Sequence, residues 1–227
     1  MENQHITIAI DGPSGAGKSS MARAAAEHFG LTYVDTGAIY RTVALAVKRA
    51  GLDSKDAAGV AALLPGLDIR VAYGDAGVQR MLLDGEDVGG ALRLPELSLY
   101  TSDVSMMPRV RASLLEMQRA LARENSIVMD GRDIGTVVLP DAKLKIFLTA
   151  SSKDRARRRF EELRKLGFSV PYDEVLRDIR NRDENDTQRA VAPLRAAEDA
   201  ILLDTTGNTA QQSRALIFQI IAGRFGI

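Results

Sequence analysis

The chain opens its ordered pattern with Ile6–Asp11, an apolar and β-branched run without polar alternation, which predicts a strand buried on both faces. Apolar positions then recur at helical spacing across Ser19–Phe29 and stop at Gly30. Leu31–Val34 predicts a short strand, and Ile39–Ala50 a helix ended by Gly51. Further along, Ser126–Met129, Leu144–Leu148 and Ile201–Leu203 predict three more strands, and Ala210–Arg224 a closing helix. Within that helix Leu216, Ile217, Ile220 and Ile221 form a stripe expected to pack on the core. Strands separated by helices predict right-handed crossovers and a parallel sheet covered on both faces, an α/β fold.

Two regions break the rhythm. Between residues 67 and 88, "LDIRVAY" is followed by "VQRMLLDGEDV", where Asp84-Gly85 signals a hairpin turn and a small antiparallel lobe. This lobe, 67–100, carries few obvious ligands and is expected to help close over a substrate. The second break is "SSKDRARRRFEELRKLGFSVPYDEV". Arg155, Arg157, Arg158 and Arg159 crowd one helix that ends near Gly167, and a new helix starts after Pro171 with Tyr172, Val175, Leu176 and Ile179 as its apolar stripe.

Composition narrows the chemistry. At 227 residues the chain suits one core with a lobe or two inserted. Thirty Lys and Arg balance thirty Asp and Glu, so no net field points to nucleic acid or an anionic membrane. The absence of cysteine excludes disulfides, thiolate metal sites and thiol nucleophiles. The polar start, Met-Glu-Asn-Gln-His, and the lack of a long apolar run lead to the expectation of a soluble, cytoplasmic protein, and a monomer is the expected state.

The chemistry concentrates first in "AIDGPSGAGKSS". Gly12, Pro13, Ser14, Gly15, Ala16, Gly17, Lys18 and Ser19 fit the phosphate-binding loop pattern, with a strand before and a helix after. Glycines let successive N–H groups point inward, the helix start adds positive potential, and Lys18 supplies a full charge to the β- and γ-phosphates. A Ser19 hydroxyl, or that of Ser20, suits Mg²⁺, and Asp130 suits Mg²⁺-bound water. A glycine-rich turn with a chance lysine is the plainer reading, and the full pattern with correct flanks outweighs it. The run Asn-Lys-x-Asp typical of guanine readers is missing, so the expected donor is ATP.

A kinase needs a second anion site, for the acceptor. In "VDTGAIYRT", Thr36 and Arg41 lie at the start of one helix and could share an anion, although a plain N-cap with a surface arginine would look alike. In "MDGRDIGTVV", Arg132 and Asp133 leave the C-terminal end of a strand, where open parallel sheets bind ligands; a solvated turn is the alternative. "SDVSMMPRVR" adds Ser102 and Arg111, and "RNRDENDTQRAVAPL" adds Arg182, Asp186 and Arg189. Arg182 and Asp186, four apart, would also make an ordinary surface pair, and the arginines at 155–159 an ordinary solvated face with Glu161 and Glu162.

In this order and spacing, the phosphate loop, "DTGAIYR", "SDVSMMPRVR", "DGRDIGTVV", "KIFLTASSKDRARRR" and "RDENDTQRAVAPL" resemble the bacterial cytidylate kinases over nearly the whole chain. The resemblance implies a three-layer P-loop core (1–41, 101–150 and 173–227), a nucleoside-monophosphate-binding insert (about 42–100) and an arginine-rich lid (about 151–172). It implies ATP- and Mg²⁺-dependent phosphorylation of CMP and dCMP. It assigns the monophosphate to Thr36, Arg41, Ser102, Arg111, Arg132, Asp133, Arg182, Asp186 and Arg189. Lys18, Arg132 and the lid's Arg155, Arg158 and Arg159 would neutralise the moving phosphoryl group. Thr36 stands where the family often has serine, and Ser19-Ser20 where many members have Gly-Thr. Two rival readings are another small-molecule kinase, for a different nucleotide or shikimate, and a nucleotide-driven switch or ATPase.

Overall fold

A computed structural model describes residues 5–94 and 96–227. In chain order the elements are β1 (Thr7–Asp11), α1 (Lys18–Phe29), β2 (Thr32–Asp35), α2 (Thr36–Arg49), α3 (Ala57–Leu63), β3 (Ile69–Tyr73), β4 (Gln79–Leu83) and β5 (Glu86–Asp87). There follow α4 (Leu97–Met106), α5 (Pro108–Glu124), β6 (Ile127–Gly131), β7 (Leu144–Thr149), α6 (Ser152–Lys165), α7 (Tyr172–Gln188), β8 (Ile201–Asp204) and α8 (Ala210–Phe225). The chain divides into two compact units, one comprising the described residues through Thr32 with Ser126–Ile227, the other Tyr33–Asn125.

The first unit holds β6, β1, β7 and β8 of a five-stranded parallel sheet of order β2-β6-β1-β7-β8, and its Thr32, the first residue of β2, donates to the Ser126 carbonyl. Ile8, Ala9 and Ile10 of β1 and Val128 and Met129 of β6 are fully buried, as expected for central strands with helices on both faces. Strand order reverses at β1, and an open sheet has its ligand crevice at such a switch point. Register matters here: Asp11 pairs with Gly131, so β1 and β6 end level and release Gly12 and Arg132 side by side. Gly12 has φ +146°, and a Cβ there would lie 1.9 Å from the Leu148 carbonyl oxygen, so only glycine lets the loop leave β1 this closely.

Helices α6 and α7 pack through Ala156, Leu163, Val175 and Ile179, with Phe160 edge-on to Tyr172. The expected apolar stripe of α7 is the surface used. Helix α8 starts with a Thr209–Gln212 capping box and buries Ile217 and Ile221, leaving Leu216 partly exposed. Among the described residues no helix is long and apolar enough to cross a membrane.

The second unit surrounds the antiparallel sheet β3-β4-β5. Asp84 and Gly85, with φ of 52° and 85°, form the two-residue link between β4 and β5. Two positive φ values fit the hairpin turn that the Asp-Gly pair predicts. Ile39, Val43 and Val47 of α2, Met81 and Leu83 of β4, Leu97 and Val104 of α4, and Val110 and Leu114 of α5 share one buried cluster. Helices α4 and α5 were not predicted, although Pro108 stands at the first turn of α5, where a missing N–H costs nothing.

Candidate active site

The phosphate loop runs between β1 and α1, and the helix begins at Lys18, one residue before the predicted start. Lys18 is 5 % exposed and donates from Nζ to the Pro13 carbonyl at 2.9 Å. Burial and the positive charge of Arg132 drive its pKa well below the usual lysine range, while Asp130 and Asp186 pull the other way. Ser19 Oγ donates to Asp130 Oδ2 at 2.9 Å, joining the first turn of α1 to β6. A hydroxyl and a carboxylate at the loop's edge form the oxygen set suited to a hard cation that keeps several waters and shares phosphate oxygens. These two residues therefore fit Mg²⁺. Ser20 is exposed on α1.

Beyond β6 the backbone carries Arg132 and Asp133. Arg132 Nε donates to Asp186 Oδ2 at 2.8 Å, and both side chains are largely buried. Burial pushes the Asp186 carboxyl up, but Arg132, Arg182 and Arg189 outweigh it and hold the group below the ordinary aspartate range. Asp133 pairs with Arg189 at 3.4 Å, both nearly inaccessible, and Arg189 also donates to the Ala192 carbonyl. Asp186 is thus spoken for by Arg132, not by a simple surface pair with Arg182 four residues earlier.

The four arginines at 155–159 of α6 separate. Arg155 is buried and bidentate on Asp183 (2.9 and 2.6 Å), and it also donates to the carbonyls of Ser14 and Ala150. Arg158 donates to the carbonyls of Ala16 and Thr205. Arg157 and Arg159 make i,i+3 pairs with Asp154 and Glu162 in more exposed positions. Two of the arginines therefore grip the phosphate loop's own carbonyls, and two lie on a solvated face.

In the second unit Asp35 caps α2, accepting from the Ala38 N–H at 2.9 Å. Its other oxygen takes Arg41 Nη2 at 2.9 Å, so Arg41 turns back to the cap residue beside buried Thr36. Gln79 of β4 clamps the Asp35 backbone from both sides, accepting its N–H and donating to its carbonyl. Arg111 lies over the Tyr40 ring, 5.4 Å from its centre, and donates to the Ser105 carbonyl. Ser102 sits on α4, its carbonyl receiving the Ser105 hydroxyl.

Among the predicted residues, the first unit brings Lys18, Ser19, Asp130, Arg132 and Asp186 into one electrostatic cluster. The second gathers Thr36 and Arg41 at the start of α2, and Arg111 on Tyr40. Three contributors were missed: Asp11, Asp183 and Gln79. Asp183 shares a helical face with Asp186 at i,i+3, a spacing visible in the sequence. Asp11 is an acid at the end of an apolar strand, directly before the glycine loop.

Comparison with known proteins places the chain beside one family. The family model for cytidylate kinase matches residues 8–222. A cytidylate kinase from Carboxydothermus hydrogenoformans is 49 % identical over 216 residues, 95 % of this chain and 97 % of that protein. One from Syntrophotalea carbinolica is 45 % identical over 222 residues, 98 % and 94 % of the two chains. Among solved structures, an uncharacterised protein from Eubacterium ventriosum matches with a TM-score of 0.54 at 15 % identity, over 97 % of this chain and 99 % of that one, a likeness of fold alone.

Proposed function

The chain belongs to the cytidylate kinase family, and from this premise we infer that it transfers the γ-phosphate of ATP to CMP or dCMP, giving ADP and CDP or dCDP. A phosphate oxygen of the monophosphate attacks the γ-phosphorus, the bond to the β-phosphate oxygen breaks, and ADP leaves with that electron pair. An ionised phosphate needs no general base, so the protein's work is positioning and charge neutralisation. Each pair of unit negative charges about 4 Å apart costs about 4 kcal/mol at an effective dielectric of 20, which sets the demand for converging cations.

The observation carrying this reading is that β1 and β6 end level, so that Arg132 leaves β6 beside the phosphate loop that carries Lys18. Lys18 and the loop N–H groups would hold the donor phosphates. Arg132, with Nε fixed on Asp186 and Nη1 on the Gly131 carbonyl, is assigned to the acceptor phosphate through its remaining N–H groups, and Thr36 and Arg41 are assigned to the same phosphate. An aspartate carboxylate accepts hydrogen bonds, so Asp133 suits the cytosine C4 amine and disfavours the uracil carbonyl, with Arg111 and Ser102 assigned to the ring nitrogen and the C2 carbonyl. Arg182, Asp186 and Arg189 complete the acceptor set. Ser19 would hold Mg²⁺ directly and Asp130 through water, and the ion would supply positive charge to the donor phosphates.

Arg155, Arg158 and Arg159 belong in this account to the lid, about 151–172, and the residues of about 42–100 to the acceptor-binding insert. Closure excludes water, whose attack on ATP is the competing reaction. We take the enzyme to act as a cytoplasmic monomer. A panel of CMP, dCMP, UMP, AMP and shikimate with ATP and Mg²⁺ tests the reading: CMP and dCMP should be preferred acceptors, and preference for any other would overturn it.

A further inference from the structure

Asp11 makes no contact with the substrates in the account above, yet it is one of the more expensive side chains in the protein to keep. It is 4 % exposed, and an ionised carboxylate costs heavily in such a place unless hydrogen bonds compensate it. Both its oxygens are used by one segment: Oδ1 accepts the Ile134 N–H at 2.8 Å and Oδ2 the Gly135 N–H at 2.7 Å. These two residues open a turn of π-helix, Ile134–Val138, whose first N–H groups lack partners within the turn. The carboxylate supplies them.

The residue just before this turn is Asp133, held at φ −147° and ψ 27° between the strand and the turn. With Ile134 and Gly135 pinned, the backbone leaving Asp133 is fixed, while Arg189 fixes the side chain. Asp11 itself is anchored by β1, where it pairs with Gly131 on one side and Phe147 on the other, and Gly12 of the phosphate loop follows it directly. One residue thus ties the loop assigned to the donor to the residue assigned to the acceptor's base. Asparagine would offer one acceptor only and would turn an N–H₂ toward a backbone N–H.

We propose that Asp11 is a positioning residue for acceptor selection: by holding Ile134 and Gly135 it sets the placement of Asp133, and through it the preference for cytosine over uracil. This rests on the assignment of Asp133 as the base reader.

The test compares Asp11→Asn with the parent enzyme for kcat/KM on CMP and on UMP, alongside ATP affinity measured without acceptor. The CMP-to-UMP ratio should fall by about 10- to 100-fold, chiefly through KM for CMP, with ATP affinity kept, as expected for misplacing a reading group by a fraction of an ångström or more. An unchanged ratio, whether activity is retained or lost equally for both nucleotides, would overturn the proposal. Should Asp11→Asn not fold, Gly135→Ala carries the same criterion: its Cβ would lie 3.1 Å from Lys145 Cδ and 3.4 Å from Asp11 Oδ2, crowding the amide away from the carboxylate. Asp133→Ala, run in parallel, separates the two claims. If it leaves the ratio intact, the base-reading assignment fails; if it alone lowers the ratio, only the role of Asp11 fails.

Discussion

Arg132 and Asp186 stand 54 positions apart in the chain and meet through an Nε–Oδ2 hydrogen bond of 2.8 Å, both side chains mostly buried. Nη1 also reaches the Gly131 carbonyl at 3.3 Å, so the guanidinium is anchored at two of its nitrogens. A buried arginine held this way has lost most of its rotamer freedom before any substrate arrives, which is the preorganisation that phosphoryl transfer requires.

Arg132→Lys should therefore be a poor replacement. Lysine keeps the charge but lacks both the Nε anchor to Asp186 and the planar fork. Steady-state kinetics with CMP varied should show kcat/KM lower by about 10²–10³. Activity within a fewfold of the parent would mean that point charge alone suffices.

Asp133→Ala should lose the distinction between CMP and UMP by about 2–4 kcal/mol, the cost of leaving a buried partner unsatisfied. Competition between the two acceptors in one reaction measures this directly. Loss of activity with the ratio preserved would remove Asp133 from base reading.

The arginines of α6 should divide in stability assays as they do in contacts. Asp183→Ala leaves the buried Arg155 guanidinium without its bidentate partner and should destabilise the protein by about 2–3 kcal/mol. Glu162→Ala, which breaks the more exposed pair with Arg159, should change stability by no more than about 0.5 kcal/mol. Denaturant unfolding of the two variants checks the contrast, and equal effects would contradict it.

Asp11 should leave a pH signature in stability. Burial raises its pKa to about 6 from 3.8, against the two backbone hydrogen bonds that lower it. Because the folded value lies above the unfolded one, the folded state binds the proton more tightly. That contribution is complete below about pH 3.8 and is lost as pH rises through about 6. Relative to Asp11→Asn, the parent should lose about 2 kcal/mol between pH 4 and 7, most of the shift between the two pKa values. Urea unfolding of both proteins across that range gives the number, and a difference independent of pH would contradict the buried ionisation.

Much of this was legible because it is local. The strand, glycine loop and helix over residues 6–29 follow from adjacent residues, and so does the Asp84-Gly85 turn. What escaped depends on partners far along the chain. Four arginines in one helical stretch do not reveal that Arg155 turns inward, because its acceptors are Asp183, 28 residues away, and the Ser14 carbonyl, 141 away. Asp11 reads as a strand end until Ile134 and Gly135 are folded against it. Asp35 reads as a helix cap beside Thr36, and that its second oxygen also holds Arg41 emerges only in the fold.

The proposed transfer makes one decisive demand: the γ-phosphate must move to a nucleotide and not to water. Incubation with γ-labelled ATP, Mg²⁺ and CMP should put the label on CDP, one for each ADP formed. Label recovered only as inorganic phosphate, at a rate indifferent to CMP, would contradict the account.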